Sequence, residues 1–356
     1  MGMGRDGRTW RNRAAAIALG AVLAAPGGAG LAQTPGATEP LRVVATFSIL
    51  GDLVGRVGGD AIELRTIVTA GTDAHTFEPT PDDAIALGEA DLVFANGLGF
   101  EPWLDELAQG ADDPLPIVVV TEGIEAREAG DEHAAGEHAG ESTPEGDGQA
   151  EGGEPAADEG EHEDGEEHVA EENNHDHGAA DPHAWHDVRN AIAMTEAIGD
   201  GLVAADPADA AAYEANAAAF LAELEALDAW VVEQVATLPE ERRKLVTSHD
   251  TFGYFADRYG FEVVGTALDS NTTEGGGPAA REIAELVGRI EAAGVPAIFG
   301  ENVQNPEVME AVAEEAGVSL APTLYTDALG APGEEADTYE AMIRHNVETI
   351  VAALGE

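Results

Sequence analysis

Short β-branched runs alternate with helical patterns twice along this chain, and that alternation narrows the possible fold more than any other feature. Leu41–Phe47, Ile62–Thr69, Asp91–Ala95 and Pro116–Val120 read as buried strands, with helical patterns such as Pro81–Glu89 and Glu101–Gln109 between them. The rhythm returns after residue 240 in Lys244–Ser248, Glu262–Ala267, Ala297–Gly300 and Ser319–Tyr325. Strand, helix, strand order argues for parallel sheets covered on both faces, so the expected class is α/β with two lobes, residues 41–205 and 243–356. Between them, an Ala-rich stretch opens at Asp206-Pro207 and closes at Leu238-Pro239, with Tyr213, Phe220, Leu224, Leu227, Val231 and Val235 on one helical stripe. It predicts a continuous strut helix over 206–238, about thirty residues and roughly 45 Å long at 1.5 Å per residue. Two helices broken near Ala219 are the alternative.

Two segments stand outside this pattern. Arg5, Arg8, Arg11 and Arg13 precede the apolar run Ala14–Ala25 and the small-x-small end Gly30-Leu31-Ala32, which reads as a signal peptide over residues 1–32. The run is too short to span a bilayer stably, and no later segment approaches eighteen uninterrupted apolar residues. An uncleaved anchor or a misplaced start is the alternative to export. The second segment, residues 128–180, has 19 Asp+Glu, no Lys or Arg, and six histidines: His133, His138, His162, His168, His175 and His177. It cannot bury enough apolar surface to fold, so a disordered acidic loop is expected, its imidazoles and carboxylates forming a loose multi-site binder of divalent metal. A merely solvated spacer would explain its charge but not its histidines.

Composition excludes several chemistries. With 16 Lys+Arg against 70 Asp+Glu, the formal charge of −54 argues against nucleic acid or an anionic membrane surface as partner. The absence of cysteine removes disulfides, thiolate metal sites, cysteine nucleophiles and an N-terminal lipid on cysteine, so the exported protein expected from the signal peptide, periplasmic or otherwise extracytoplasmic, is expected not to be lipid-anchored through cysteine.

Outside the acidic loop five histidines remain: His75, His183, His186, His249 and His345. His75 follows the strand ending near Thr69, His249 follows Lys244–Ser248, and Asp327 closes the last strand in the same way; His183 follows the acidic insert and precedes a helix. Ligands of open parallel sheets bind at the carboxyl ends of strands, so two candidates per lobe at such edges point to a cleft between lobes. Their intervals of 108, 66 and 78 residues fit no short zinc motif, so shared placement carries the argument. His345, within the helical pattern Tyr339–Leu354, reads as an exposed helical residue.

At these residues the sequence resembles the zinc- and manganese-binding extracytoplasmic solute-binding proteins of ABC transporters, the cluster A-I or cluster 9 group. The resemblance lies in Gly-x-Asp-x-His-x-Phe-Glu-Pro at 71–79, Asp-Pro-His-x-Trp at 181–185, Ser-His-Asp-x-Phe-Gly-Tyr-Phe at 248–255 and Tyr-Thr-Asp-x-Leu-Gly at 325–330. It implies two Rossmann-like (β/α) lobes joined by a long rigid backbone helix, one metal held between them by His75, His183, His249 and Asp327, and a membrane permease as partner of a monomeric protein. Ala74 stands where the family commonly has proline, and His186 where it commonly has an aliphatic residue; His186 reads as a support for the ligands or an extra surface imidazole, not as a ligand.

Three imidazoles and one carboxylate suit four-coordinate Zn²⁺, whereas Mn²⁺ prefers more oxygen ligands, so a zinc-type member is expected. The strongly negative chain also concentrates divalent cations near its surface, within the reach that salt allows. A manganese-specific binder and a metal-binding adhesin are the nearer alternatives. A zinc-dependent hydrolase is the remote one, because a catalytic zinc keeps one position open for water and needs a general base. Deleting residues 128–180 is expected to leave one tight metal site and remove several weak ones, as read by metal titration.

Overall fold

The computed structural model describes residues 39–110, 114–129, 180–268 and 280–355. The expected signal peptide, and all of the acidic loop but its ends, therefore lie outside the described residues.

The first lobe is built on a four-stranded parallel sheet in the order β2-β1-β3-β4, with β1 Leu41–Phe47, β2 Ile62–Val68, β3 Leu92–Ala95 and β4 Ile117–Val119. The central strand β1 pairs in register with β2 from Leu41 opposite Ile62 to Phe47 opposite Val68. Its last five residues are all buried, as expected for a strand covered on both faces. Helices α1 Ser48–Gly58, α2 Pro81–Glu89, α3 Pro102–Gly110 and α4 Val188–Ala205 complete this lobe. The start of α2 is fixed by chemistry legible in the sequence: Pro81 opens the helix, and Thr80 and Asp83 form a reciprocal capping box.

The second lobe holds two parallel pairs, β5 Lys244–Thr247 with β6 Glu262–Thr266, and β7 Ala297–Glu301 with β8 Ser319–Leu324. β5 and β7 lie side by side. Helices α6 Gly253–Tyr259, α7 Ala280–Ala293, α8 Pro306–Ala316 and α9 Tyr339–Gly355 surround them. The eight strands fall where the sequence pattern places them, each end within one residue of the expected position. The α/β, parallel, two-lobed class is thus realised.

Between the lobes, α5 runs unbroken over Ala210–Val235, 26 residues or about 39 Å. All six expected stripe residues are buried, and no break occurs near Ala219. The helix is shorter than its expected 206–238 because Asp206 ends α4 and its carboxylate accepts from Ala208 N at 3.1 Å, which spends Pro207 on a turn. α9 returns from the second lobe to pack on α5, and Asp52 of α1 accepts from Tyr339 N at 2.9 Å.

The sequence pattern does not reveal α1, because Gly51, Gly55 and Gly58 dilute its apolar period. Gly51 is needed there: a Cβ would lie 2.4 Å from Thr66 Oγ1 on β2, so the helix approaches the sheet through a missing side chain. Gly51→Ala is therefore expected to destabilise the protein by about 1–3 kcal/mol, with Thr66→Ala recovering part of the loss, in a double-mutant cycle read by chemical denaturation.

Candidate metal centre

Four loops converge where the two lobes meet. His75 lies in the loop after β2, His183 opens a 3-10 turn at Ala184–His186 ahead of α4, His249 follows β5 by two residues, and Asp327 follows β8 by three. One donor atom from each of these four side chains lies within 4.8 Å of the other three. His75 Nε2 is 3.2 Å from His183 Nε2, His183 Nε2 is 3.4 Å from Asp327 Oδ1, His249 Nε2 is 3.1 Å from Asp327 Oδ2, and His75 Nε2 is 4.0 Å from Asp327 Oδ1. All four expected site residues are thus brought together across the cleft.

His183, His249 and Asp327 have no exposed surface, and His75 alone keeps a narrow opening, with its side chain 10% exposed. Phe100 and Trp185 wall the cluster, with Phe100 edge-on to the His75 ring at 5.1 Å and Trp185 edge-on to His183 at 5.4 Å. In this dry setting the charges govern protonation. Burial pushes the His75 imidazole down to about 4, against the pull of Asp327. Burial would also lower His249, but it lies between the Glu301 and Asp327 carboxylates, which together hold its proton well above the ordinary histidine range. Burial would raise Asp327, but His249, His183 and His75 hold its carboxyl well below the usual range.

Supporting groups that sequence reasoning missed fix the donors. Asp181 accepts from His183 N at 3.0 Å and lies 2.8 Å from His183 Nδ1, so Nε2 is the nitrogen turned into the cluster. Burial would raise the Asp181 carboxyl, but its bonds to His183 and the nearby Arg127 lower it. Arg127 Nη1 is 3.5 Å from Asp181, and its Nε donates to Asp257 on α6 at 3.0 Å, joining the lobes. Both ends of the acidic insert meet here: Glu128 and Ala180 form an antiparallel bridge, and Asp181 N donates to Arg127 O at 2.8 Å. The signal for Asp181 was available in the Asp-Pro-His motif. That for Glu301 was a charged residue at the end of an apolar strand.

Two other histidines depart from expectation. His186 is not a surface imidazole: it is buried between Trp185 and Phe252, with ring centroids 5.7 and 4.7 Å away, and burial pushes it down to about 3. It stays outside the four-donor cluster. His345 is not freely exposed on its helix either. It is half-buried, its Nε2 2.9 Å from Thr323 O and its ring packed on Tyr325.

The family model of the zinc-uptake complex component A, periplasmic (ZnuA), matches residues 43–353. The chain belongs to this family. It is 34% identical over 336 residues to the manganese-binding lipoprotein MntA of Halalkalibacterium halodurans, covering 94% of this chain and 96% of that one. It is 30% identical over 330 residues to the metal ABC transporter substrate-binding lipoprotein FimA of Streptococcus parasanguinis, covering 91% and 92%. Among solved structures, the periplasmic zinc-binding protein TroA of Treponema pallidum superposes with a TM-score of 0.70 at 28% identity, covering 88% of this chain and 99% of TroA. This ZnuA-family protein is accordingly an extracytoplasmic, metal-binding solute-binding component of an ABC transporter, with a permease as its partner; no catalytic family is indicated.

One expectation is corrected by these relatives. MntA and FimA are both named lipoproteins, which overturns the expectation of a protein that is not lipid-anchored. The expectation rested on the absence of cysteine from 356 residues, a property of this sequence that does not speak for its family. The extracytoplasmic placement stands. Among the described residues no helix is long and apolar enough to cross a membrane.

The opposite directions of the two histidine shifts are directly observable. In the metal-free protein at about pH 6.5, long-range ¹H–¹⁵N NMR is expected to show His249 as the imidazolium and His75 as the neutral ring.

Proposed function

We propose that this protein captures Zn²⁺ outside the cytoplasm, binds it through His75, His183, His249 and Asp327, and delivers it as a monomer to the permease of a zinc ABC transporter. The observation that carries this reading is the donor geometry. Four donors held about 2.0–2.1 Å from a tetrahedral zinc stand about 3.3 Å apart. Three donor separations, at 3.2, 3.4 and 3.1 Å, lie close to that edge and the one from His75 to Asp327 is 4.0 Å, with His183 and His75 facing Asp327 Oδ1 and His249 facing Oδ2, and the four donors all lie within 4.8 Å of one another. Three imidazole nitrogens and one carboxylate form the borderline-soft set that zinc favours. The two lobes supply two donors each, with α5 as the strut between them, so that closure about the ion is a small motion.

Manganese is the second reading, favoured by the named specificity of MntA. The two readings separate on the oxygen count. Mn²⁺ would require further oxygen donors, which at this site means opening both carboxylate oxygens of Asp327 to the metal or admitting water past His75.

Metal content by mass spectrometry after exposure to equimolar Zn²⁺ and Mn²⁺ tests this. One tightly held zinc, lost in Asp327→Ala and in His249→Ala, is expected; tight manganese would overturn the zinc reading, and retention of tight zinc in both variants would place the site elsewhere. Protons should compete at His249 before they compete at His75. Because a raised imidazole pKa must be overcome for metal to bind, zinc affinity is expected to rise about tenfold per pH unit from about pH 6 upward and to level off only above the His249 pKa.

A further inference from the structure

We propose that Glu301 is a positioning residue that holds His249 and Asp327 as a single rigid pair of donors, an inference that rests on the reading of those two side chains as metal ligands. Glu301 ends β7 and is only 4% exposed. Its Oε1 accepts from Ser248 N at 2.7 Å and His249 N at 3.0 Å, which fixes the backbone that carries the imidazole. Its Oε2 faces His249 Nδ1 in ion-pair contact and accepts from Thr326 Oγ1 at 3.2 Å. That hydroxyl also sits 3.4 Å from Asp327 Oδ2. The next residue extends the grip, because Asn302 Oδ1 accepts from Thr326 N at 3.1 Å and its Nδ2 donates to Ala328 O at 2.9 Å. Strand β7 thereby reaches both ligand loops of the second lobe from one dipeptide.

The carboxylate does two things here that no neutral group can do together. It takes the Nδ1 proton of His249, which leaves Nε2 as the lone-pair nitrogen aimed at the cluster, and its negative charge makes the imidazole a stronger donor. A glutamine would keep the shape but not the pattern. Whichever way its amide turns, the NH₂ meets either the two backbone N–H groups or the Nδ1–H, which are donors themselves.

The first lobe contains a control for the purely structural part of this role. Glu101 is also buried, and it also captures two consecutive backbone donors after a strand, Asn96 N at 2.7 Å and Gly97 N at 3.0 Å, together with Thr46 Oγ1 at 2.7 Å. All its hydrogen-bond partners are backbone or hydroxyl groups, so it performs the loop-holding task without an imidazole partner.

The test compares full-length Glu301→Gln, Glu101→Gln and Asp327→Ala by Zn²⁺ competition against a chromophoric chelator, by the visible ligand-field bands of the Co²⁺-loaded protein, and by melting of the metal-free protein. Glu301→Gln is expected to hold one zinc about 10–100-fold more weakly and to shift the Co²⁺ bands, while Glu101→Gln lowers the melting temperature and leaves those bands unchanged. Wild-type affinity and bands in Glu301→Gln, or equal losses in both glutamine variants with unmoved bands, would overturn the positioning role. Should Glu301→Gln fail to fold, Thr326→Val cuts the Glu301–Asp327 link alone, and unmoved Co²⁺ bands there would equally overturn it. Tight zinc and wild-type bands in Asp327→Ala would instead show that the ligand reading beneath the proposal is wrong.

Discussion

A fully buried carboxylate, Asp327, stands at the point where the lobes meet, and burying such a charge is costly unless positive or hydrogen-bonding partners surround it. The loops around it are arranged to supply them. Two histidines come from the first lobe and one, His249, from the second, and His249 does most to offset the buried charge. The lobes are joined around this point by polar bonds that leave little freedom: Trp185 Nε1 donates to Thr326 O at 2.9 Å, Tyr339 OH donates to Trp185 O at 2.7 Å, and Leu329 N donates to Ser48 Oγ at 3.0 Å. Trp185 therefore ties the residue before Asp327 to the residues after His183. Its ring also fills the space between Phe47 and Phe100.

The two fully buried histidines of the proposed site are supported differently. His183 leans on Asp181, whose charge is shared with Arg127 and through it with Asp257 of the other lobe. His249 leans on Glu301, whose remaining partners are backbone N–H groups and a hydroxyl. A carboxylate already committed to a guanidinium polarises an imidazole less than one bound only to neutral donors. Burial would lower His249, and the Glu301 and Asp327 carboxylates on either side of its ring raise it instead. Among the described residues no carboxylate hydrogen-bonds the His75 ring; the Asp73 carboxylate holds its backbone N at 2.8 Å, and burial pushes its imidazole down to about 4.

Much of this was legible in the sequence, for particular reasons. Strands buried on both faces are near-continuous apolar runs, so Leu41–Phe47 and Ala297–Glu301 announce themselves, and the Thr80-Pro81 start of α2 is local chemistry. The four candidate donors were legible because each follows a strand or precedes a helix and because the motifs of the family resemblance fall on the same residues. What stayed hidden depends on distance. Helix α1 was obscured because its glycines serve a close approach to Thr66, a contact that only the folded sheet defines. Glu301 and Arg127 act on residues 52 and 54 positions away; a charged residue ending an apolar strand marks Glu301, but which histidine it serves is set only by the fold. His186 was mistaken for a possible surface residue because its burial comes from Phe252, on the other lobe.

The charge arrangement also sets the interlobe cluster apart from the acidic surface around it. Exposed carboxylates attract divalent ions only weakly, since water and salt screen them over about 8–10 Å. At the interlobe site the carboxylates of Asp327, Asp181 and Glu301 are buried, and Arg127 is the guanidinium set against Asp181. In the metal-free protein the proton on His249 supplies part of the missing positive charge. A divalent ion placed among the four donors replaces that proton and adds a further charge, in a region where solvent cannot compensate. The same burial that makes the empty cluster expensive thus favours a cation there, and acidification is expected to oppose it through His249, which sits between two carboxylates.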